Sequence, residues 1–335
     1  LQIKNKKSSK MKALVTGGTG FIGSHLVDEL LKRGYDVKCI VRDTSNLKWL
    51  EGKDVEIVRG SLFDVDFLKT VVKDIDYVYH IAGVTKGRNY RDYYRGNVET
   101  TKNLLEASLY SSNLKKFILA SSLSAVGPGY DKVPVDESTP YHPITSYGKS
   151  KAEAEKVALS FKDKLPIVIV RPPSVYGPRD TYTYEIFRYI KLGILPVVLP
   201  SDQILSLVYV SDLVDGFILA GESERSTGKI YFISSDEIYT WKDIEVAILR
   251  ALDKKVLRVK IPAPILYSVS FVSETICKVF GKASPLNSEK IKDIRQKNWA
   301  CSVEKAKREL GYRHKVPLEE GMEKTINWYI QNGWL

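Results

Sequence analysis

A chain of 335 residues, 44% hydrophobic and 27% charged, is long enough to bury one large core or two unequal ones. Its formal charge of +11 invites a nucleic-acid partner, yet the cations are spread along the chain and no base-stacking or groove-reading motif accompanies them. Three cysteines without metal-ligand spacing, Cys39, Cys277 and Cys301, and four scattered histidines argue against a structural metal and fit a reducing cytoplasm.

The opening LQIKNKKSSK holds four lysines and no acid, so residues 1–10 read as a disordered basic tail. Strand and helix signals then alternate. Residues 12–16 form a short apolar strand, and residues 24–33 carry Leu26, Val27, Leu30 and Leu31 on one helical face until Gly34 stops them. A second strand spans 37–41, and buried strands are expected at 55–58, 77–81, 116–120 and 167–170. Helices are expected at 98–110 and 146–161. Repeated β-α units of this length imply a parallel, doubly wound sheet of the α/β class.

The first turn, VTGGTGFIGSH, places Gly17, Gly20 and Gly23 at three-residue spacing between a strand and a helix. A tight turn, close approach to a pyrophosphate, and close helix-strand packing each exclude a side chain. The following helix N-terminus then faces the phosphates. After the second strand comes CIVRDTSN. Arg42 there can meet a 2′-phosphate, whereas Asp43 one residue later suits the 2′-hydroxyl of NAD; NADP(H) is preferred, with NAD(H) the alternative.

TGGTGFIG, HIAGV after the fourth strand, SSLSAVG after the fifth, YGKSK, RPPSVYGP, VYVSDLVDG and KAKRELGY occur in this order from Met11 to the C-terminus. Together they resemble the extended short-chain dehydrogenases/reductases. The resemblance implies a Rossmann-type sheet with a smaller, mostly C-terminal substrate domain. The dinucleotide part would be residues 11–178 and about 205–235, and the substrate part about 179–204 and 236–335.

In a helix, Tyr147 and Lys151 share a face, and a nearby ammonium should lower a phenol pKa from near 10. By resemblance Tyr147 is the general acid/base, Lys151 also holds the nicotinamide ribose, and Ser122 orients the reacting oxygen. Ser124 then falls at a usual substrate contact. Phe21 and Ile22 continue the glycine turn at the cofactor. Ala82, Gly83 and Val84 resemble the loop beneath the cofactor, and Ser174 and Val175 should lie beside the carboxamide, with Ser174 also near substrate. Asn97, expected to open a helix, is either a plain cap or a residue near the nicotinamide. Ser61-Leu62 stands where the family often has an acid before an aliphatic residue against adenine, so the side-chain contact is in doubt.

Relatives that bind nucleotide sugars often carry an arginine seven residues before the aspartate of the VYVSD motif; counting back from Asp212 reaches Leu205. An apolar side chain cannot neutralise a diphosphate, although Arg179 and Arg188 are alternatives. GILPVVLP (193–200) and the apolar stretch 265–280 read equally as core or as an apolar pocket. Residues 265–280 are too short to span a bilayer and are expected to be buried rather than to anchor at a membrane surface. An NADP(H)-dependent oxidoreductase acting on a carbonyl or secondary alcohol of an apolar small molecule is therefore favoured. A nucleotide-sugar epimerase/dehydratase and a non-catalytic dinucleotide-binding protein are the alternatives. The resemblance also implies a homodimer paired through helices 98–110 and 146–161.

Overall fold

The computed structural model describes residues 10–197, 202–253, 256–280, 283–284 and 286–335. Residues 1–9 of the expected tail and the end of the 193–200 stretch lie outside them.

The strands of the first half are β1 (Lys12–Thr16), β2 (Asp36–Val41), β3 (Val55–Arg59), β4 (Tyr77–His80), β5 (Lys116–Ala120) and β6 (Ile167–Arg171). The helices between them are α1 (Phe21–Lys32), α2 (Val65–Val72), α3 (Tyr90–Tyr93), α4 (Thr100–Ser108) and α5 (Ser146–Ser160). In the second half β7 (Ser174–Tyr176), β8 (Ile194–Val197), β9 (Ile204–Tyr209) and β10 (Lys229–Phe232) are followed by β11 (Ile238–Thr240), β12 (Leu257–Lys260) and β13 (Asn298–Trp299). Their helices are α6 (Thr181–Lys191), α7 (Val210–Glu222), α8 (Trp241–Leu252) and α9 (Ala263–Val279). The chain closes with α10 (Ser288–Ile294), α11 (Glu304–Leu310) and α12 (Leu318–Gln331).

A seven-stranded parallel sheet runs in the order β10-β6-β5-β4-β1-β2-β3. The strand order reverses at β1, and β1 and β4 are neighbours there, so the crevice beyond their carboxyl ends is the topological switch point where such sheets bind ligands. One apolar layer packs α1 and α7 on one face; the other packs α2, α4 and α5 on the opposite face. β3 departs from the sequence expectation of a buried strand: it is the sheet edge, and Glu56 and Ile57 are exposed. Its apolar residues meet only one neighbouring strand, β2.

β9 organises the smaller part, pairing with β7, β11 and β13, while β8 pairs with β12. A separate apolar cluster joins α6, α8 and α12 there. Val303, Ala306, Leu310 and Tyr312, on the C-terminal side of the expected boundary, pack instead into the core of the large sheet.

Two further expectations are corrected. Residues 90–108 form one continuous helical rod, α3 to α4, with a π-helical turn at Tyr94–Glu99, so Asn97 neither opens nor caps a helix. A π-turn inserts one extra residue per turn and often marks a functional position. Of the core and pocket alternatives for 265–280, the core one is corrected: the stretch is helical, Ile265, Val269, Val272 and Ile276 are exposed, and the last three line an open cavity. No described helix is long and apolar enough to cross a membrane.

Candidate active site

At the β1-α1 turn Gly17 and Gly23 have a steric reason. Gly17 has φ +76°, and a Cβ there would stand 2.8 Å from the Ala82 nitrogen. A Cβ on Gly23 would lie 2.1 Å from the Gly17 carbonyl oxygen. Gly20 precedes α1 without any side-chain cap, and no acid occupies the first turn. The backbone N–H groups at Phe21, Ile22 and Gly23 therefore begin a helix whose positive end is open to an anion. A dinucleotide pyrophosphate fits this cradle.

Arg42 follows β2 at the surface, where its backbone N–H donates to Ser45 Oγ at 3.1 Å. Asp43 directs its carbonyl to Arg59 Nη1 at 3.3 Å, which brings a second cation to this end of the site. Ser61 Oγ accepts from the Phe63 N–H at 3.1 Å, so its hydroxyl serves the local turn. Leu62 packs on the second apolar layer, and its carbonyl accepts from Asn103.

The serines after β5 separate by environment. Ser121 is buried and hydrogen-bonded to Glu155. Ser122 sits beside the Tyr147 phenol, and its hydroxyl also accepts from the Ser124 N–H at 3.1 Å. The Ser124 carbonyl crosses α5 so closely that a Cβ on Gly148 would lie 2.3 Å away, which explains the glycine within YGKSK. Thr145 caps α5 by accepting from the Gly148 N–H, fixing the turn that carries Tyr147.

Tyr147 and Lys151 lie one turn apart on α5, as their spacing requires. Burial raises the phenol pKa to about 12, opposed by the neighbouring Ser122 hydroxyl, so Lys151 does not by itself lower it. Lys151 is buried and donates to the Ala120 carbonyl at 2.5 Å, and desolvation lowers its pKa to about 8. Its ammonium is thus directed at the end of β5 rather than at the phenol.

Asn97 ties the parts together. Its Oδ1 accepts from the Val84 N–H at 2.7 Å, and its Nδ2 donates to the Val84 carbonyl at 3.0 Å and to Ser150 Oγ at 2.8 Å. The loop of Ala82, Gly83 and Val84 is thereby fastened to α5. The π-turn also brings Gly96 so near Val84 that a Cβ would meet Val84 Cγ2 at 2.2 Å. Ala82 is held at its other side by its N–H donating to Thr16 Oγ1 at 3.2 Å. Ser174 is exposed at the start of β7, and Val175 packs on the first apolar layer.

Several residues here carry no sequence signal. Glu155, two turns beyond Tyr147, is fully buried and pairs with Arg171 at 2.6 Å, anchoring α5 to β6. Glu289 of α10 accepts from the Ser146 N–H at 3.0 Å and from Ser146 Oγ at 2.6 Å, so the C-terminal segment holds the start of α5. Asp293 lies near enough to Tyr147 to raise its pKa, and burial lifts its own to about 6. Lys86 and Lys290 both approach the Tyr182 ring, with their Nζ atoms 4.3 and 5.1 Å from its centre.

Among the described residues no cluster of ligating side chains could hold a metal. The family model for the NAD dependent epimerase/dehydratase family matches residues 13–234. The chain is 29% identical over 336 residues to a 3-beta-hydroxysteroid dehydrogenase of Mycolicibacterium neoaurum, covering 95% of this chain and 91% of that one. It is 28% identical to a 2-alkyl-3-oxoalkanoate reductase of Shewanella oneidensis, covering 93% and 84%. Among solved structures, UDP-glucuronic acid 4-epimerase from Bacillus cereus in complex with NAD superposes with a TM-score of 0.78 at 26% identity, covering 96% and 99%. The glycine cradle at the switch point and this match place the chain in the NAD dependent epimerase/dehydratase family, as an NAD(P)-dependent enzyme of the extended short-chain dehydrogenase/reductase type.

Proposed function

We propose that the protein is an NADP(H)-dependent oxidoreductase that reduces a carbonyl, or oxidises a secondary alcohol, in a largely apolar small molecule. The observation that supports this reading is Ser122 beside Tyr147, with Lys151 one turn further along α5 and its ammonium near the fastened 82–84 loop. Gly17, Gly20, Phe21, Ile22 and Gly23 would hold the pyrophosphate, and Arg42 the 2′-phosphate. Ser61 and Leu62 would border adenine, the 82–84 loop the middle of the cofactor, and Ser174 and Val175 the carboxamide. When bound, the cofactor supplies or accepts a hydride.

In the direction of reduction, Ser122 donates a hydrogen bond to the carbonyl oxygen and sets its position. Tyr147, protonated at neutral pH, gives its proton to that oxygen as negative charge develops there. Lys151 remains largely cationic at pH 7; it would bind the ribose hydroxyls and stabilise the phenolate left behind. Ser124, in the turn after β5, would contact the substrate.

The substrate class follows from what stands near the position of a diphosphate. Leu205 pairs with Tyr239 and Trp299 inside the β9 sheet. Arg179 is occupied by Asp28 at 2.8 Å and Ser24 at 3.0 Å on α1, and Arg188 lies by Glu185 on the solvent face of α6. A substrate screen that follows nicotinamide absorbance over ketones, alicyclic alcohols and nucleotide sugars tests the reading. Turnover of apolar carbonyls supports it, and turnover of nucleotide sugars alone rejects it.

A further inference from the structure

Two lysines from distant parts of the chain meet at one tyrosine. Lys86 Nζ lies 4.3 Å and Lys290 Nζ 5.1 Å from the centre of the Tyr182 ring. Lys86 follows the 82–84 loop by two residues, and Lys290 stands in the first turn of α10. Three relationships set this pair beside the candidate catalytic groups. The Tyr182 hydroxyl is hydrogen-bonded to Thr85 Oγ1 at 3.2 Å, one residue beyond that loop. Glu289, next to Lys290, holds Ser146, next to Tyr147. Tyr182 and Asp293 both lie near enough to the Tyr147 phenol to act on it.

What the pair lacks is an anion. Among the described residues no acid forms an ion pair with either ammonium. Neighbouring charges are already used: Arg88 binds Asp92 at 2.8 and 3.2 Å, Asp180 accepts from the Tyr182 and Thr183 N–H groups at 2.9 and 3.0 Å, and Glu289 serves Ser146. Asp293, one turn beyond Lys290, bears on it without pairing; burial lifts that carboxyl to about 6, so it is ionised at pH 7. Burial, and then the charge of Lys86, hold the Lys290 ammonium below the usual lysine range, with Asp293 opposing. Two ammoniums and one carboxylate leave one surplus positive charge, partly withdrawn from water. A tyrosine face attracts a cation modestly and does not neutralise it. Like charges gathered in such a place are relieved when an anion enters.

We propose that Lys86 and Lys290 form an anion subsite of the active site, so that the substrate carries one carboxylate on its apolar skeleton besides the reacting carbonyl or alcohol. This rests on the oxidoreductase reading above. The single surplus charge selects a monoanion, because a diphosphate would bring more negative charge than two lysines beside Asp293 can balance. Each lysine offers a point charge on a flexible stem, so the two can close on a carboxylate from different sides.

Calorimetric titration of the protein loaded with oxidised NADP tests the subsite, using an alicyclic keto acid (4-oxocyclohexanecarboxylate) and a linear one (9-oxodecanoate), each against its methyl ester. The acids should bind at least about tenfold more tightly than their esters. Lys86→Ala with Lys290→Ala should remove that difference, and Lys86→Arg with Lys290→Arg should keep most of it. Asp293→Asn, which deletes the opposing charge, should widen it. Cofactor titration of each variant reports that it is folded. Esters that bind as well as the acids, a preference that survives the alanine pair, or no binding of either acid at millimolar concentration would each overturn the proposal. NADPH-dependent turnover of uncharged ketones with no preference for the acids would overturn the subsite and leave the oxidoreductase reading standing. Turnover of nucleotide sugars alone would reject both.

Discussion

Lys151 donates to the Ala120 carbonyl at the end of β5, although Glu155 stands one turn further along the same helix. The carboxylate is unavailable because Arg171, Ser121 and Tyr141 hold it. An ammonium is thus buried against a neutral oxygen, and its pKa falls to about 8. The folded state binds this proton less readily than the unfolded chain, so the charge penalty is present below pH 8 and is relieved as pH rises towards the unfolded lysine value.

Lys151→Met should consequently stabilise the cofactor-free protein by about 2 kcal/mol at pH 7, after allowing for the lost hydrogen bond. The gain should shrink above pH 8. The same variant should bind cofactor more weakly and lose turnover. Urea denaturation at pH 7 and pH 9.5 reads the first effect. A variant less stable than wild type at pH 7 would show that the ammonium is better compensated than its surroundings indicate.

Tyr147→Phe removes the phenolic oxygen and little packing. Turnover should fall by about 10²–10⁴-fold or more, with cofactor affinity nearly unchanged. Wild-type turnover by this variant on an identified substrate would remove Tyr147 from the proposed proton transfer.

The 2′-phosphate is a question for Arg42. Arg42→Ala should weaken NADPH by about 1.5–3 kcal/mol and leave NADH nearly unaffected. Fluorescence titrations of wild type with both cofactors set the baseline. If NADH binds as tightly as NADPH, the ribose contact passes to Asp43.

Asn97→Ala leaves the Val84 N–H and carbonyl without their partner in a partly buried loop, while the Ser150 hydroxyl of α5 keeps its bond to the Tyr147 carbonyl. Unpaired buried groups cost about 1–3 kcal/mol each, so stability should fall by at least about 2 kcal/mol, and cofactor affinity with it. Asn97→Asp keeps the acceptor for the Val84 N–H but loses both donated bonds, and should fall between. Full stability of the alanine variant would mean that the 82–84 loop is held by the Ala82–Thr16 contact alone.

What could be read from the sequence was local. The glycine turn and the Tyr147-Lys151 pair carry their geometry in spacing, because a strand-turn-helix unit and a helical turn fix positions three or four residues apart. Six of the seven strands of the large sheet were legible for the same reason, down to β5 at its observed bounds, whereas β10 was not expected. The misses are non-local. Nothing in NVETT announces a π-turn, since it arises where residues 94–99 close over Val84. Glu155 and Glu289 look like surface acids until β6 brings Arg171 and α10 brings its N-terminus to α5. α9 was expected as core or pocket wall from its apolar spacing, but orientation depends on which side its neighbours occupy, and Leu266, Ser270 and Ser273 face them.

The remaining question, apolar carbonyl or nucleotide sugar, can be settled by binding. Structural likeness to a UDP-glucuronic acid epimerase shows a shared fold, and folds of this kind serve several substrates. Leu205 is held between Tyr239 and Trp299 by β9 pairing, so no small rearrangement supplies a cation there. Releasing Arg179 would break its bonds to Asp28 and Ser24 and its stacking over Trp49, 4.8 Å from the ring centre. Two phosphate charges would then be desolvated without a partner, and UDP- and TDP-sugars should bind no better than about millimolar. Lys86 and Lys290, which both approach the Tyr182 ring, are the cations that could defeat this expectation. Calorimetric titration of the cofactor-loaded protein with UDP, TDP and their hexoses measures it directly. Micromolar binding that disappears in Lys86→Ala with Lys290→Ala would transfer the diphosphate to those lysines and replace the reductase reading with an epimerase. Absence of binding, with NADPH-dependent reduction of an alicyclic ketone, would fix the substrate as apolar.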